Sequence, residues 1–333
     1  MKNTTPERIL QFVWGYAPTL IIQTAVHHGV FDLLAQSPQT LPQLAKRSGA
    51  SERGLAAVLN ALVGLQLLGR QGNRYRLTPE SAAFLVSGRP AFLGGMFRHM
   101  AGQIIPQWLQ LDQVVRTGRP AMAVNGRKDG GKFFAKFVES LFPLSHRAAS
   151  ALGEHLEIAK TKMPLSVLDI AAGSGVWGIA LAQQSPLVRI AAADWPEVLT
   201  VTKKVARRCG LGRRLTPIPG DLLKSDFGSG HQVATLGHIL HSEGADRSRK
   251  LLKKVFRALA PGGTVAISEF LVNDDRTEPA VSLLFAVNML VNTEAGDTFS
   301  VRQISQWLRA AGFVKPRLLD VGAVSPLILA TRP

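Results

Sequence analysis

The stretch Val167-Leu168-Asp169-Ile170-Ala171-Ala172-Gly173-Ser174-Gly175-Val176-Trp177-Gly178 constrains this chain more than any other. A β-branched and aliphatic run from Ser166 to Ile170 carries an acid, Asp169, near its end. A Gly-x-Gly follows, and then Ile179, Ala180, Leu181 and Ala182 fit an apolar helical pattern. The order predicts a strand, a tight glycine turn and a helix N-terminus. Glycine accepts positive φ and lets a ligand lie against bare backbone, while the free N–H groups of a helix start face it. Gly173, Gly175 and Gly178 also spell G-x-G-x-x-G, the fingerprint of dinucleotide turns, so this stretch alone leaves the ligand open.

The residues downstream narrow it. Arg189 to Ala193 reads as a second buried strand ending in Asp194, with Trp195 beside it. An acid at the second strand tip of a βαβ unit accepts hydrogen bonds from two ribose hydroxyls, which suits a nicotinamide dinucleotide or any adenosine cofactor. Three features favour S-adenosylmethionine. Asp169 at the first strand tip can meet an ammonium directly or through water, whereas it would repel a pyrophosphate. Gly220-Asp221-Leu222-Leu223 follows a third strand, Leu215 to Pro219, and offers an acceptor for an adenine amine beside an apolar wall. Pro261-Gly262-Gly263 turns into a further strand, Thr264 to Phe270.

On these residues the chain resembles the class I S-adenosylmethionine-dependent methyltransferases. More narrowly, it is similar to the small-molecule O-methyltransferases of plant phenolic and bacterial antibiotic-tailoring metabolism, over nearly its whole length. The cofactor set is then Asp169, Gly173, Gly175, Asp194, Trp195, Asp221 and Leu222.

At 333 residues the chain is long enough for two domains, and 46% hydrophobic with 19% charged residues is ordinary for a globular protein. The single cysteine, Cys209, forms no intrachain disulfide, and no cysteine–histidine set has zinc spacing. The first residues lack a signal-peptide pattern, and no apolar run is expected to approach membrane-spanning length. A cytoplasmic protein without membrane insertion is the expectation. The net charge of +16 admits a nucleic-acid or anionic-membrane partner. The basic pairs are scattered, however, at Lys203-Lys204, Arg207-Arg208, Arg213-Arg214 and Lys253-Lys254, away from aromatic clusters. A generally basic surface is the simpler reading, and no nucleic-acid partner is expected.

Along the chain, residues 6–28 read as an amphipathic helix that Pro18 starts or kinks. Thr40 and Gln43 form a capping box, and Ser51-Glu52 opens a helix with inner face Leu55, Val58, Leu59, Leu62 and Val63. A hairpin turning at Gln71-Gly72-Asn73 follows, and Thr78-Pro79-Glu80 caps another helix. Helices followed by a hairpin spell a winged helix. A DNA reader would use residues 52–66 for recognition. That helix holds Arg53 as its only base and is apolar nearly all round, so it is expected to be buried. The resemblance implies dimerisation instead. Residues 91–117 carry a helical apolar stripe, 118–132 read as a loop, and Phe133 opens a long helix ending near Ile158. From the stripe and this helix, Met100, Trp108 and Phe137 are candidate acceptor contacts.

The resulting fold class is α/β: a doubly wound, Rossmann-like methyltransferase domain preceded by a mainly α-helical winged-helix dimerisation domain. The divisions are 1–117 for dimerisation, 118–158 for the loop and linking helix, and 159–333 for the catalytic domain. A Ser300-capped helix stopped by Gly312, then strands from Lys315 and Leu327, close the sheet as this class requires.

A sulfonium methyl is already activated, so the protein aligns the reactants and removes a proton. A phenol has a pKa of about 10, and a base near its oxygen helps by roughly 10²–10⁴-fold. Gly237-His238-Ile239-Leu240-His241 follows the strand Val233 to Leu236. In the family resembled, a His-x-x-His-Asp-Trp pattern stands there with its second histidine as base, which places the base at His241. Glu269, at the end of an apolar strand, is the matching orienter of its tautomer. His238 reads as a packed, hydrogen-bonded histidine on the acceptor side. No third ligand stands at metal spacing beside the two histidines, so no metal is expected. Ser242-Glu243 departs from the Asp-Trp of the pattern. The family's second glutamate falls near Thr298, with Asp297 and Glu294 close by. Asn288, Met289 and Asn292 share a helix face and are acceptor candidates by the same resemblance.

The expected activity is O-methyl transfer to a small, aromatic hydroxyl compound of secondary metabolism by a homodimer, releasing S-adenosylhomocysteine. The same residues fit transfer to carbon or nitrogen, or non-methylating chemistry that uses the bound cofactor's charge. A nucleic-acid binder and a nicotinamide dehydrogenase are the competing classes, the latter opposed by Asp169.

Overall fold

The structure, a computed structural model, describes residues 4–124, 130–322 and 325–333. It divides into two compact units, Met1–Pro106 and Gln107–Pro333.

The first unit opens with α1 (Glu7–Val13) and α2 (Ala17–His27), with Pro18 in the first turn of α2, where its missing N–H loses no bond. α3 (Val30–Gln36) leads to β1 (Gln39–Thr40) and α4 (Leu41–Ser48), which starts on the Thr40–Gln43 capping box. α5 (Glu52–Gly64) is capped by Ser51, whose hydroxyl accepts from the Gly54 N–H at 3.2 Å. β2 (Leu68–Gln71) and β3 (Arg74–Leu77) form the hairpin, with β1 on the far side of β3, and α6 (Pro79–Phe84) follows. Phe31, Leu44, Leu59, Leu62 and Tyr75 fill the core.

Two expectations are corrected in this unit. α5 is not buried all round: Leu55, Leu59 and Leu62 are buried, while Arg53, Ala57 and Asn60 are exposed. Its outer face is apolar only in small residues, which bring little area to bury. The stretch Glu7–His27 is long and apolar enough, by length and composition, to cross a membrane, contrary to the expectation that no run approaches that length. A turn around Trp14–Tyr16 breaks it in two, and Ile9, Phe12 and Trp14 are 71%, 74% and 67% exposed. The helical stripe of residues 91–117 is interrupted as well. α7 (Gly94–His99) widens into a π-helical turn, Met100–Ile104, ahead of α8 (Ile105–Trp108), where Pro106 brings no N–H.

In the second unit, α9 (Leu111–Thr117) precedes the expected loop, of which residues 125–129 lie outside the described ones. The single helix expected from Phe133 to Ile158 is in three pieces: α10 (Gly130–Ala135), a 3₁₀ turn at Val138–Leu141, and α11 (Phe142–His155). Pro143 sits in the first turn of α11, where proline is tolerated as it is not inside a helix.

The strands are β4 (Leu165–Ile170), β5 (Val188–Asp194), β6 (Leu215–Pro219), β7 (His231–Gly237), β8 (Leu259–Ser268), β9 (Val314–Leu319) and β10 (Leu327–Thr331). They form one sheet in the order β6-β5-β4-β7-β8-β10-β9, parallel from β6 to β8, with β10 antiparallel to both neighbours. Between them run α12 (Val176–Gln184), α13 (Pro196–Arg208), α14 (Leu240–Ala258), α15 (Ala280–Asn292) and α16 (Val301–Ala311). Ile179, Leu199 and Leu152 pack with Val167 and Ile190 in one cluster; Leu251, Val255, Ile304 and Leu308 pack with Leu168, Leu236 and Ile267 in the other. Helices cover both sheet faces, which is why the inner parallel strands are mainly apolar and buried. Winding reverses between β4 and β7, and the crevice outside their carboxyl ends is where such sheets bind ligands.

At that reversal α12 sits tight on β7. A Cβ added to Gly237 would lie 2.0 Å from the Trp177 Nε1. Gly237→Ala is expected to destabilise the protein by about 1–3 kcal/mol, read as a lower urea midpoint at unchanged slope. Gly64→Ala, at a helical position with nothing within 4 Å, is the control expected to hold or raise the midpoint.

Candidate active site

The turn after β4 is made of positive φ values: 52° at Ala171, 55° at Gly173 and 78° at Gly175. Two neighbours pin it. The Asp194 carboxylate accepts from the Gly173 N–H at 2.8 Å with one oxygen and from the Trp195 N–H at 2.7 Å with the other. The Thr202 hydroxyl donates to the Gly173 carbonyl at 2.7 Å. Burial pushes the Asp194 pKa up to about 6 against these donors.

Asp169, expected to face a ligand's ammonium, instead turns into the protein. It is fully buried, with one oxygen accepting from the Thr235 hydroxyl at 2.8 Å and the other from the Gly178 N–H at 3.0 Å. Burial raises its pKa to about 7, the two donors opposing and the nearby Asp194 charge adding to the rise. The third glycine of the fingerprint is thereby explained. A Cβ on Gly178 would stand 2.6 Å from Ile190 Cγ2 and 3.3 Å from an Asp169 oxygen, so this glycine serves helix–strand packing.

Beside β5, Gly220 at the end of β6 donates its N–H to the Asp194 carbonyl at 3.0 Å. It thereby sets Asp221 and the buried Leu222 next to the Asp194 strand tip. The Asp221 carboxylate accepts from the Leu223 N–H at 2.8 Å.

On the other side of β4, Glu269 follows the end of β8 and is 3% exposed. One of its oxygens accepts from the Leu240 N–H at 2.6 Å and the His241 N–H at 3.3 Å, capping α14; the other is 2.7 Å from His241 Nδ1. Burial works to raise its pKa, but His241, His238 and the backbone donor outweigh it and hold the carboxyl below its usual value. An ionised carboxylate only accepts, so the His241 proton sits on Nδ1 and Nε2 keeps a free lone pair. His238 adopts φ 59°, and its buried Nδ1 has no partner. Burial lowers its pKa to about 4 and keeps it neutral.

His238, His241 and Glu269 offer ligand atoms within 4.8 Å of one another, so a third candidate metal ligand does exist, brought by the fold rather than by local spacing. Both Glu269 oxygens are already engaged by His241 and backbone donors, and we read the group as a hydrogen-bonded pair.

Two residues that sequence reasoning missed wall this pair. The Phe285 ring meets His241 edge-on at 4.9 Å, and Phe270 stacks on Phe285 at 4.1 Å while lying 4.9 Å from His238. The available signals were that Phe270 directly follows Glu269 and that Phe285 precedes Asn288 and Met289 by one helical turn. On α15, Asn288 accepts at Oδ1 from Trp108 Nε1 at 2.9 Å and from Asn292 Nδ2 at 3.0 Å. Met289 is buried, and the buried Asn292 Oδ1 lacks a partner. Phe137 packs with Phe133 and Phe134, and its neighbour Val138 lies 3.7 Å from where a Gly173 Cβ would be. Met100 belongs to the other unit. Of the three residues expected near a second carboxylate, Asp297 is held by Arg276 at 2.6 Å, Glu294 is exposed, and Thr298, which carries no acid, is buried with an unpartnered hydroxyl.

Sheet order and switch-point turn define the class: a doubly wound α/β domain with a ligand crevice at the carboxyl ends of β4 and β7. Comparison with known proteins specifies it. The profile of the O-methyltransferase domain matches residues 117–314, and that of the O-methyltransferase dimerisation domain residues 10–87. The 3-hydroxy-5-methyl-1-naphthoate 3-O-methyltransferase of Streptomyces sahachiroi is 30% identical over 92% of this chain and 89% of its own. The tetracenomycin polyketide synthesis 8-O-methyl transferase TcmO of Streptomyces glaucescens is 28% identical over 98% and 97%. The crystal structure of human N-acetylserotonin methyltransferase with S-adenosylmethionine, 24% identical, shares the fold at a TM-score of 0.86 over 99% of each chain. The chain belongs to the O-methyltransferase family.

The hydrogen bond at Nδ1 is directly testable. In Glu269→Gln the amide can donate to Nδ1 and shift the proton to Nε2. Nitrogen NMR of the histidine rings is expected to show the Nδ1–H form of His241 in the natural protein and the Nε2–H form in the variant. The same tautomer in both would refute the pairing.

Proposed function

We propose that this O-methyltransferase acts on the hydroxyl of a small aromatic compound of secondary metabolism, with His241 as the base. The observation that carries the reading is the Nδ1 pairing of His241 with Glu269 at 2.7 Å, which leaves Nε2 as a proton acceptor. Phe270 and Phe285 beside the imidazole suit an aromatic acceptor, as does the hydroxynaphthoate named for the Streptomyces sahachiroi relative. Asp194, Gly173, Gly175, Trp195, Asp221 and Leu222 would hold S-adenosylmethionine, with Asp169 bracing the turn from behind. The donor set suits it: an acid at the second strand tip for the ribose, and an acid beside a buried leucine for the adenine.

When bound, the cofactor supplies a methyl already activated by its sulfonium. His241 takes the acceptor's proton, and Glu269 holds the ring's orientation and balances its positive charge. Trp108, Asn288, Met289 and Asn292 line the acceptor's other side, and the neutral His238 adds a hydrogen-bonding nitrogen. Residues 1–117 pair two copies, 118–158 link, and 159–333 carry the chemistry. The dimerisation-domain match and the exposed Ile9, Phe12 and Trp14 support a homodimer whose second copy covers that apolar face. A cytoplasmic enzyme without a nucleic-acid partner completes the reading.

With an aromatic hydroxyl acceptor found by screening, His241→Ala is expected to lower kcat by roughly 10²–10⁴-fold while S-adenosylhomocysteine binds as before. Unchanged turnover would dismiss His241 as base. Asp194 supplies a pH test. Its folded pKa, about 6, lies above the ordinary 3.8, and ribose hydroxyls favour the charged form. Calorimetric S-adenosylhomocysteine affinity is therefore expected to rise with pH through about 6 and to level above it, and Asp194→Asn should remove that rise along with much of the affinity.

A further inference from the structure

Glu243 stands two residues after His241 and is only 9% exposed, an unusual place for an acid. Burial raises its pKa, and Arg247 opposes the rise. The Arg247 Nε donates to a Glu243 oxygen at 2.6 Å, while its Nη2 lies 3.3 and 3.4 Å from the two oxygens of Asp221. One guanidinium thus serves two acids, closely on one side and loosely on the other.

The Glu243–Arg247 contact is not an ordinary pair on a helix surface. Gly244, at φ 72° and ψ 172°, breaks α14 between them, and a Cβ there would meet the Ala295 carbonyl at 2.4 Å. The ion pair therefore crosses a kink. It holds the short turn Leu240–Glu243, which carries His241, against the body of the helix. Asp221, at the other end of the guanidinium, is the acid read above as the adenine acceptor. The loop after it does not depend on Arg247 for its shape, because the Lys254 ammonium holds the Leu222 carbonyl at 2.8 Å and the Ser225 carbonyl as well.

We propose that Arg247 is a positioning residue that couples the cofactor's adenine end to the histidine-bearing turn through the chain Asp221–Arg247–Glu243. A donor arriving at Asp221 replaces the loose limb of the guanidinium, which is then left to Glu243. Occupancy at Asp221 thereby tightens the turn under His241. A guanidinium suits this task as an ammonium does not, because its planar fork serves two carboxylates at once.

The inference rests on the reading of Asp221, and the test separates the two. S-Adenosylhomocysteine binding is measured by calorimetry for the natural protein, Asp221→Asn, Arg247→Ala, Arg247→Lys, Glu243→Gln and the double variant Asp221→Asn/Arg247→Ala. The imidazole resonances of His241 are followed by NMR with and without the ligand. Asp221→Asn is expected to weaken binding about tenfold and Arg247→Ala to strengthen it, since the guanidinium no longer competes for Asp221, while in the double variant the loss of Arg247 should change affinity little. The ligand-induced shift of the His241 signal should vanish in Arg247→Ala and Glu243→Gln and return in part with Arg247→Lys. If Asp221→Asn loses affinity while the Arg247 and Glu243 variants keep both affinity and the His241 response, the coupling is refuted and the Asp221 reading stands. If Asp221→Asn binds as the natural protein does, the Asp221 reading falls and the coupling with it.

Discussion

A carboxylate taken out of water must be given donors, and this requirement organises the carboxyl edge of the sheet. Leaving one such group unpaired costs several kcal/mol, and burial alone would neutralise it. Asp169, Asp194 and Glu269 each meet the requirement with backbone N–H groups of a turn or a helix start: Gly178 for the first, Gly173 and Trp195 for the second, Leu240 and His241 for the third. Apart from that of Gly173, which belongs to the glycine turn, those N–H groups are ones a helix leaves unpaired at its N-terminus. The three acids thus fix where the glycine turn, the second strand tip and the histidine turn sit relative to one another. The crevice takes its shape from them before any ligand enters.

Much of this was legible in the sequence because it rests on local order. The β4 strand, glycine turn and α12, the acid ending β5, and the glycine–acid pair after β6 appear where their residues predict. So does the closing hairpin, whose strands follow a Ser300 cap and a Gly312 stop. The pairing of Glu269 with His241 was legible only through resemblance, since the two are 28 positions apart and meet because β7 and β8 are neighbours. What local order does not encode was missed. Asp169 has the residue type for a ligand contact, but its side chain points to the face where Gly178 leaves room. Phe270 and Phe285 become neighbours of His241 only when α15 packs over the strand ends. The helix expected from Phe133 to Ile158 is broken where Pro143 starts a new one.

The N-terminal unit shows the same division between local and long-range information. Capping at Thr40, Ser51 and Thr78 was readable residue by residue, and so was the hairpin. The exposure of Ile9, Phe12 and Trp14 was not, because an apolar stripe announces that a face is to be covered without saying by what.

Glu269 holds two appointments at once, as the cap of α14 and as the partner of the imidazole. Mutational drift therefore treats the two members of the pair unequally. A descendant can replace the histidine and keep its helix start, whereas loss of the acid unseats that start and the imidazole together. The acid is the more conservative half of the pair by construction. A lineage that loses the imidazole would be expected to keep the glutamate, as a fossil of the ring it once held in place.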